Sequence, residues 1–180
     1  MAVVGSVGVL VSVGGSIFML HVSRAIRRGA CPQRYQDLLF GSRIEIVLGL
    51  LSFFVLVVYA FVYDPRQPGE TLIRTVLGDR PPLIATYVLL VIGWDVAYRI
   101  GVGWWASVVG FWRSFRFGGE LSDSSRKRFR RTDGMTIGFA FVQLVLVPVL
   151  SGHPMLQYAI VGHVLAVVVV SGISIIQLSR

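Results

Sequence analysis

Hydrophobic and polar positions alternate along this chain in long blocks, not in the short periods of a soluble domain. Five apolar blocks, at about 2–22, 44–63, 82–102, 134–151 and 155–177, are each close to the ~20 residues that carry a helix across a ~30 Å hydrocarbon core. The stretches between them hold almost all of the charge. This pattern predicts an all-α integral membrane protein, a single domain over 1–180, built as a bundle of five transmembrane helices. With 54% hydrophobic and only 14% charged residues among 180, the composition lies outside the soluble range of about 25% charged. It also leaves no segment for a separate soluble domain.

The basic residues orient the bundle. The segment 23–43 carries Arg24, Arg27, Arg28, Arg34 and Arg43, and 113–133 carries Arg113, Arg116, Arg126, Lys127, Arg128, Arg130 and Arg131. Segment 64–81 balances Arg66, Arg74 and Arg80 against Asp64, Glu70 and Asp79, and the turn Ser151-Gly152-His153-Pro154 has no lysine or arginine. Alternate connections are basic, so they are expected in the cytoplasm, with the N-terminus outside and Arg180 inside a plasma membrane. Arg24, Arg27 and Arg28 follow the first apolar run instead of preceding it, so that run reads as a span and not a cleaved leader. Sixteen of the seventeen basic residues are arginine, a bias expected of GC-rich, prokaryotic coding. The net charge of +8 follows from this orientation, and no interleaving of basic and aromatic residues points to nucleic acid.

Two stretches near the cytoplasmic face have an amphipathic period. In GWWASVVGFWRSFRF (103–117), Trp104, Trp105, Val108, Val109, Trp112 and Phe115 share one face with Arg113 and Arg116 off it. This predicts an interfacial helix after the third span; one long tilted helix over 82–116 is the competing geometry. A second shallow helix is expected from Pro32, with Tyr35, Leu38 and Leu39 as its apolar stripe. Outside, the proline-bracketed segment 64–81 is expected to form a connecting loop holding a turn or two of helix.

Close helix packing in lipid depends on small residues. Gly8, Ser12 and Ser16 recur every four residues in the first span, where Gly5, Gly14 and Gly15 add more small surface, and Gly162 and Ala166 lie four apart in the last. Packing inside the bundle is the expected use of these faces, with a membrane-protein partner or homo-oligomer as the alternative. Gln143 and His163 each lie ten residues from His153. They are therefore expected at one depth, about 12 Å from the outer surface at ~1.5 Å per residue, and in hydrogen-bonding reach of each other.

Asp95 and Arg99, in VIGWDVAYRIGVGWW (91–105), are the intramembrane charges. Counted from Pro82 they lie about 20 and 26 Å down the third span. Aspartate four residues before arginine is the favourable order on a helix, so a local ion pair anchoring the span is expected. The alternatives are pairing with another subunit, or a proton- or cation-coupling carboxylate served by Gln143 and His163.

Enzyme motifs are absent: the sequence has no GxSxG, HExxH, GxxxxGK[ST] or dinucleotide fingerprint. Its only lysine, Lys127, lies in a basic connection, and its only cysteine, Cys31, has no thiol partner. Cys31 reads as inert, with juxtamembrane lipidation as the alternative. His21, His153 and His163 fall at different depths, so no pair brackets one haem within a chain, and no cofactor is expected. The segment SSRKRFRR (124–131) sets Arg126, Lys127, Arg128, Arg130 and Arg131 against anionic lipid headgroups. The leading expectation is a non-enzymatic membrane subunit or scaffold. A small ion-coupled transporter or channel using Asp95, Arg99, Gln143 and His163 is the main alternative, and a haem-carrying electron-transfer subunit a weaker one.

Overall fold

Residues 2–27 and 33–180 are described by a computed structural model, apart from the side chains of residues 2–5, 7, 8, 25, 27 and 42. Cys31 and the start of the shallow helix at Pro32 fall outside the described residues. The described residues form helices joined by turns, with no strand among them. These are α1 (Ala2–Arg27), α2 (Gln33–Phe40), α3 (Ser42–Val58), α4 (Leu72–Leu77), α5 (Leu83–Arg116), α6 (Asp123–Gln143), α7 (Leu146–Val149) and α8 (Pro154–Gln177).

Among the described residues, four helical stretches are long and apolar enough to cross a membrane: Gln33–Arg66, Leu83–Phe117, Asp123–Val149 and Pro154–Gln177. In α1 the stretch Val9–Arg24 is a shorter apolar helix. The outward faces of these helices suit lipid: Leu50, Phe54, Tyr87, Tyr158, Leu165 and Ile173 are all exposed. Burying such side chains in hydrocarbon supplies the solvent that this surface lacks in water.

The centre of the bundle is α5, which packs against α8, α3, α1, α6 and α2, while α6 and α8 share the most extensive contact. One apolar cluster joins Val11 of α1 to Ala140, Leu146, Ile160, Val164 and Val167. A second, at the other end, joins Val22, Ile26, Tyr35, Val109, Phe129 and Leu178.

Two expectations about the third span and its connection are corrected. No separate interfacial helix follows the span: α5 continues unbroken for 34 residues through Arg116. Gly101 and Gly103 do not interrupt it, since an isolated glycine costs a helix only about 1 kcal/mol. Val109 is buried in the second cluster, against which Trp105 and Trp112 pack, while Trp104 and Phe115 face out. The aromatic residues are thus divided between core and surface. Trp105 Nε1 donates to the Leu38 carbonyl at 2.9 Å, tying α2, at its expected place, across α5.

The second correction concerns 113–133, which is mostly helix and not an extended loop. Ser122 caps α6, accepting from the Ser125 backbone N–H at 3.4 Å, with Asp123 in the first turn. The basic run therefore lies on the first turns of α6. At its far end α6 breaks where Pro148 removes the donor that would reach Leu144. There Val147 N–H bonds the Leu144 carbonyl instead, at 3.0 Å, a tighter i to i+3 pattern.

At the end predicted to face outside, α3 runs into a π-helical turn, Tyr59–Tyr63, and a 3₁₀ turn, Asp64–Arg66. The connecting segment holds α4, capped by Thr71 and ended by Gly78 at φ 89°. Arg74 and Asp79 form an exposed ion pair there, and the Asp79 carboxylate raises the arginine pKa further.

Candidate functional site

Polar groups inside the helices form three clusters, two of them centred on arginine side chains of α5. Asp95 accepts from Arg99 Nε at 2.8 Å and from Arg99 Nη2 at 2.9 Å, the i,i+4 pair read from the sequence. Ser12 of α1 adds a third hydrogen bond to the same carboxylate. One of the small residues of α1 thus serves as a donor, and Ser16 returns its hydroxyl to the Ser12 carbonyl at 3.1 Å.

Close approach of α1 falls to Gly15, outside the expected every-fourth-residue stripe. A Cβ built there would lie 2.7 Å from Arg99 Cδ and 3.0 Å from Phe139 Cζ. Only hydrogen fits that gap. Gly8 lies within α1, and its surroundings fall outside the described residues.

The second cluster was not anticipated. Arg113, read from its position in a basic run as cytoplasmic, is fully buried, and Asp133 is 6% exposed. Arg113 Nη2 donates to Asp133 Oδ2 at 2.7 Å, and Nη1 donates to Tyr35 Oη at 3.0 Å. The guanidinium carbon sits 4.1 Å from the Phe129 ring centroid and 5.2 Å from that of Tyr35, so two aromatic faces share its charge. Ser174 of α8 completes the set, 2.8 Å from Asp133 Oδ2 and 3.2 Å from the Gly110 carbonyl. A Cβ at Gly110 would meet Asp133 Oδ1 at 3.1 Å, so a glycine in α5 admits the carboxylate of α6. Four helices, α2, α5, α6 and α8, meet at this one pair.

The third cluster closes the opposite end. Asp64, 4% exposed, accepts from the Leu72 backbone N–H at 2.6 Å and from Tyr59 Oη at 3.4 Å. His153 Nδ1 lies 3.1 Å from Asp64 Oδ1, pinning the turn between α7 and α8 to the end of the α3 stretch. Both residues belong to segments of few net charges, and nothing in their spacing announced the contact.

Gln143 and His163 do not make the expected bond. Gln143 is buried with its Oε1 unpartnered, and His163 Nε2 is buried without a partner too. A Cβ at Gly103 would lie 4.0 Å from His163 Nε2. That places His163 level with Gly103, two helical turns or about 12 Å beyond Asp95 along α5. The expected depth order, with His163 nearer the outer surface than Asp95, is therefore reversed along α5.

The other predicted sites separate. Gly162 is exposed, with nothing within 4 Å of a Cβ built on it, and Ala166 is half-buried one turn along. This face points away from the bundle, contrary to its expected use in internal packing. Arg126, Lys127, Arg130 and Arg131 line an open groove with Asp123 and the end of α8 (Leu178, Ser179). Arg128 turns away, and its Nη1 is buried without a partner, as is Arg126 Nε.

His21 is exposed and bonded to its own helix at Ile17 O, 3.0 Å. Among the described residues no three His, Cys, Asp or Glu side chains gather as a metal-ligand set. Chemically, these clusters neutralise buried charge and join helices.

Neither a curated protein nor a solved structure matches the sequence. A family model does, over residues 1–174: the chain belongs to DUF7530, a family of unknown function.

Proposed function

We propose that the chain is a five-span plasma-membrane protein, N-terminus outside and C-terminus inside, acting as a non-enzymatic membrane subunit or scaffold. The observation that carries this reading is the outward face of α8. There Gly162, open to its surroundings, and half-buried Ala166 lie between exposed Tyr158, Leu165 and Val169. Such a small-residue groove lets a second helix approach backbone to backbone. Within the chain the buried charges are already paired, which supports a structural use for Asp95 and Arg99. The groove of Arg126, Lys127, Arg130 and Arg131 suits anionic headgroups of the inner leaflet.

The test is the mass of the protein purified in mild detergent. A stoichiometric partner or second copy is expected, and Gly162→Leu should remove it while the protein stays folded. A lone monomer from native membranes counts against the subunit reading. For orientation, single cysteines at Gln67 and Ser124, both exposed, are placed in a Cys31→Ser background. An impermeant thiol reagent should label Gln67→Cys on intact cells and Ser124→Cys only in inverted vesicles.

A second reading, ion or proton conduction, is favoured by one observation. Gln143 Oε1, His163 Nε2 and Ser171 Oγ are buried without partners on α6 and α8. It predicts proton uptake into vesicles that His163→Ala abolishes. Asp95, already paired with Arg99 and Ser12, is left out of this reading.

A further inference from the structure

α1 and α3 flank α5 on two sides with little contact between them. The space they leave is a cavity of about 420 Å³, walled by Phe18 and Met19 of α1, Leu48 of α3, Val102 and Ala106 of α5, and Phe139 of α6. That volume is in the range of sites for drug-sized organic ligands, ~300–1,000 Å³. Exposed Leu20 and Glu45 form part of its rim, so it opens at the side of the bundle, where lipid lies. Phe18 and Phe139 stack at 4.7 Å between centroids and make a flat aromatic wall.

Among the polar residues of the lining, which include Ser16, Tyr98 and Thr136, Arg99 carries the strongest donor. An arginine has five N–H donors; here the Asp95 carboxylate takes two, and Nη1 finds only the Met19 sulfur at 3.8 Å. A thioether is a weak acceptor, and in a low-dielectric site a stronger oxygen acceptor displaces it. The charge at the site also selects. Asp95 already cancels Arg99, and Glu45 stands on the rim, so a second anion would be repelled while a neutral acceptor is not.

We propose that this cavity binds a neutral, lipid-soluble molecule whose carbonyl oxygen accepts a hydrogen bond from Arg99 Nη1. Two sources offer that chemistry, the ring carbonyl of a prenylated quinone and the ester carbonyl of a glyceride. The site lies within one chain, so it stands whether or not the subunit reading above holds.

The experiment uses the full chain purified in a maltoside detergent, which carries no carbonyl. A decyl-substituted benzoquinone is titrated while tryptophan fluorescence is followed, Trp105 being part of the lining. Mono-oleoylglycerol is titrated separately, read as a rise in melting temperature and as displacement of the quinone. Saturable binding of either probe is expected, and the one that binds names the source.

Ala106→Phe fills the cavity from α5, and Leu48→Trp fills it from α3 should the first variant fail to fold. Each is expected to weaken binding at least tenfold. Arg99→Lys keeps the charge beside Asp95 but loses the fork that serves both partners, and it too should bind at least tenfold more weakly. Saturable binding of neither probe overturns the proposal. So does unchanged affinity in both cavity-filling variants, or in Arg99→Lys.

Discussion

The two arginine–aspartate pairs of α5 lie fourteen residues apart on one helix, between Arg99 and Arg113, and they are different objects. Asp95–Arg99 is local: both partners sit on α5, at i and i+4, and their side chains keep 31% and 13% exposure. Arg113–Asp133 spans two helices and twenty residues, and its side chains keep 0% and 8%. The first pair can persist through any rearrangement that leaves α5 helical. The second exists only when α2, α5, α6 and α8 have assembled. Losing one partner of a fully buried pair leaves an uncompensated charge, whereas an arginine at the edge of an open cavity, like Arg99, can turn its head toward water or headgroups.

This contrast orders the effects of substitution. The largest is expected for Asp133→Ala, which strands Arg113: about 3–5 kcal/mol of stability lost, seen as a collapse of thermal stability in detergent. Replacing both partners, as Arg113→Met with Asp133→Leu, should restore most of that stability. A double variant as unstable as the single one would show that the pair, and not merely its neutrality, holds the four helices.

Gly15→Leu comes next, forcing α1 off Arg99 and Phe139. A loss of about 2 kcal/mol is expected, by overpacking, together with increased protease cleavage between α1 and α2. If α1 instead stays docked with unchanged stability, the Gly15 contact is not what seats it.

Asp95→Asn should lose about 1 kcal/mol, because Arg99 remains free to snorkel. Equal losses for Asp95→Asn and Asp133→Ala in the same melting experiment would erase the difference between the local and the four-helix pair. The smallest effect, about 0.5 kcal/mol, is expected for Trp105→Phe, which removes only the indole bond to the Leu38 carbonyl. Hydrogen exchange should then rise in α2 alone.

Local features were readable. The apolar blocks, the Asp95–Arg99 spacing, the amphipathic period near 33–40 and the short helix within 64–81 are all set by residues within a few turns of one another. Long-range pairings were not. Arg113 sits in a run with exposed Arg116, Lys127, Arg130 and Arg131, and nothing within four residues of it supplies a carboxylate. Asp133 is separated from it by a turn and half of α6, and Tyr35 by two helices. Asp64 and His153 are eighty-nine residues apart, and neither stands out in its own segment. The small residues of α1 pointed to the right helix, while which of them meets Arg99 and Phe139, here Gly15, depends on which way α1 is rotated about its axis.

By itself, then, the sequence determined that this is a helical membrane protein and which stretches are apolar enough to be its long helices. Those properties follow from hydropathy summed over about twenty residues. Tertiary structure decided the register of α5 against α8, the burial of Arg113, the outward turn of Gly162 and the cavity beside Arg99. Each depends on helix rotation and axial offset. In lipid these are governed by the fit of individual side chains at contacts, because apolar faces are equally at ease against lipid or against one another.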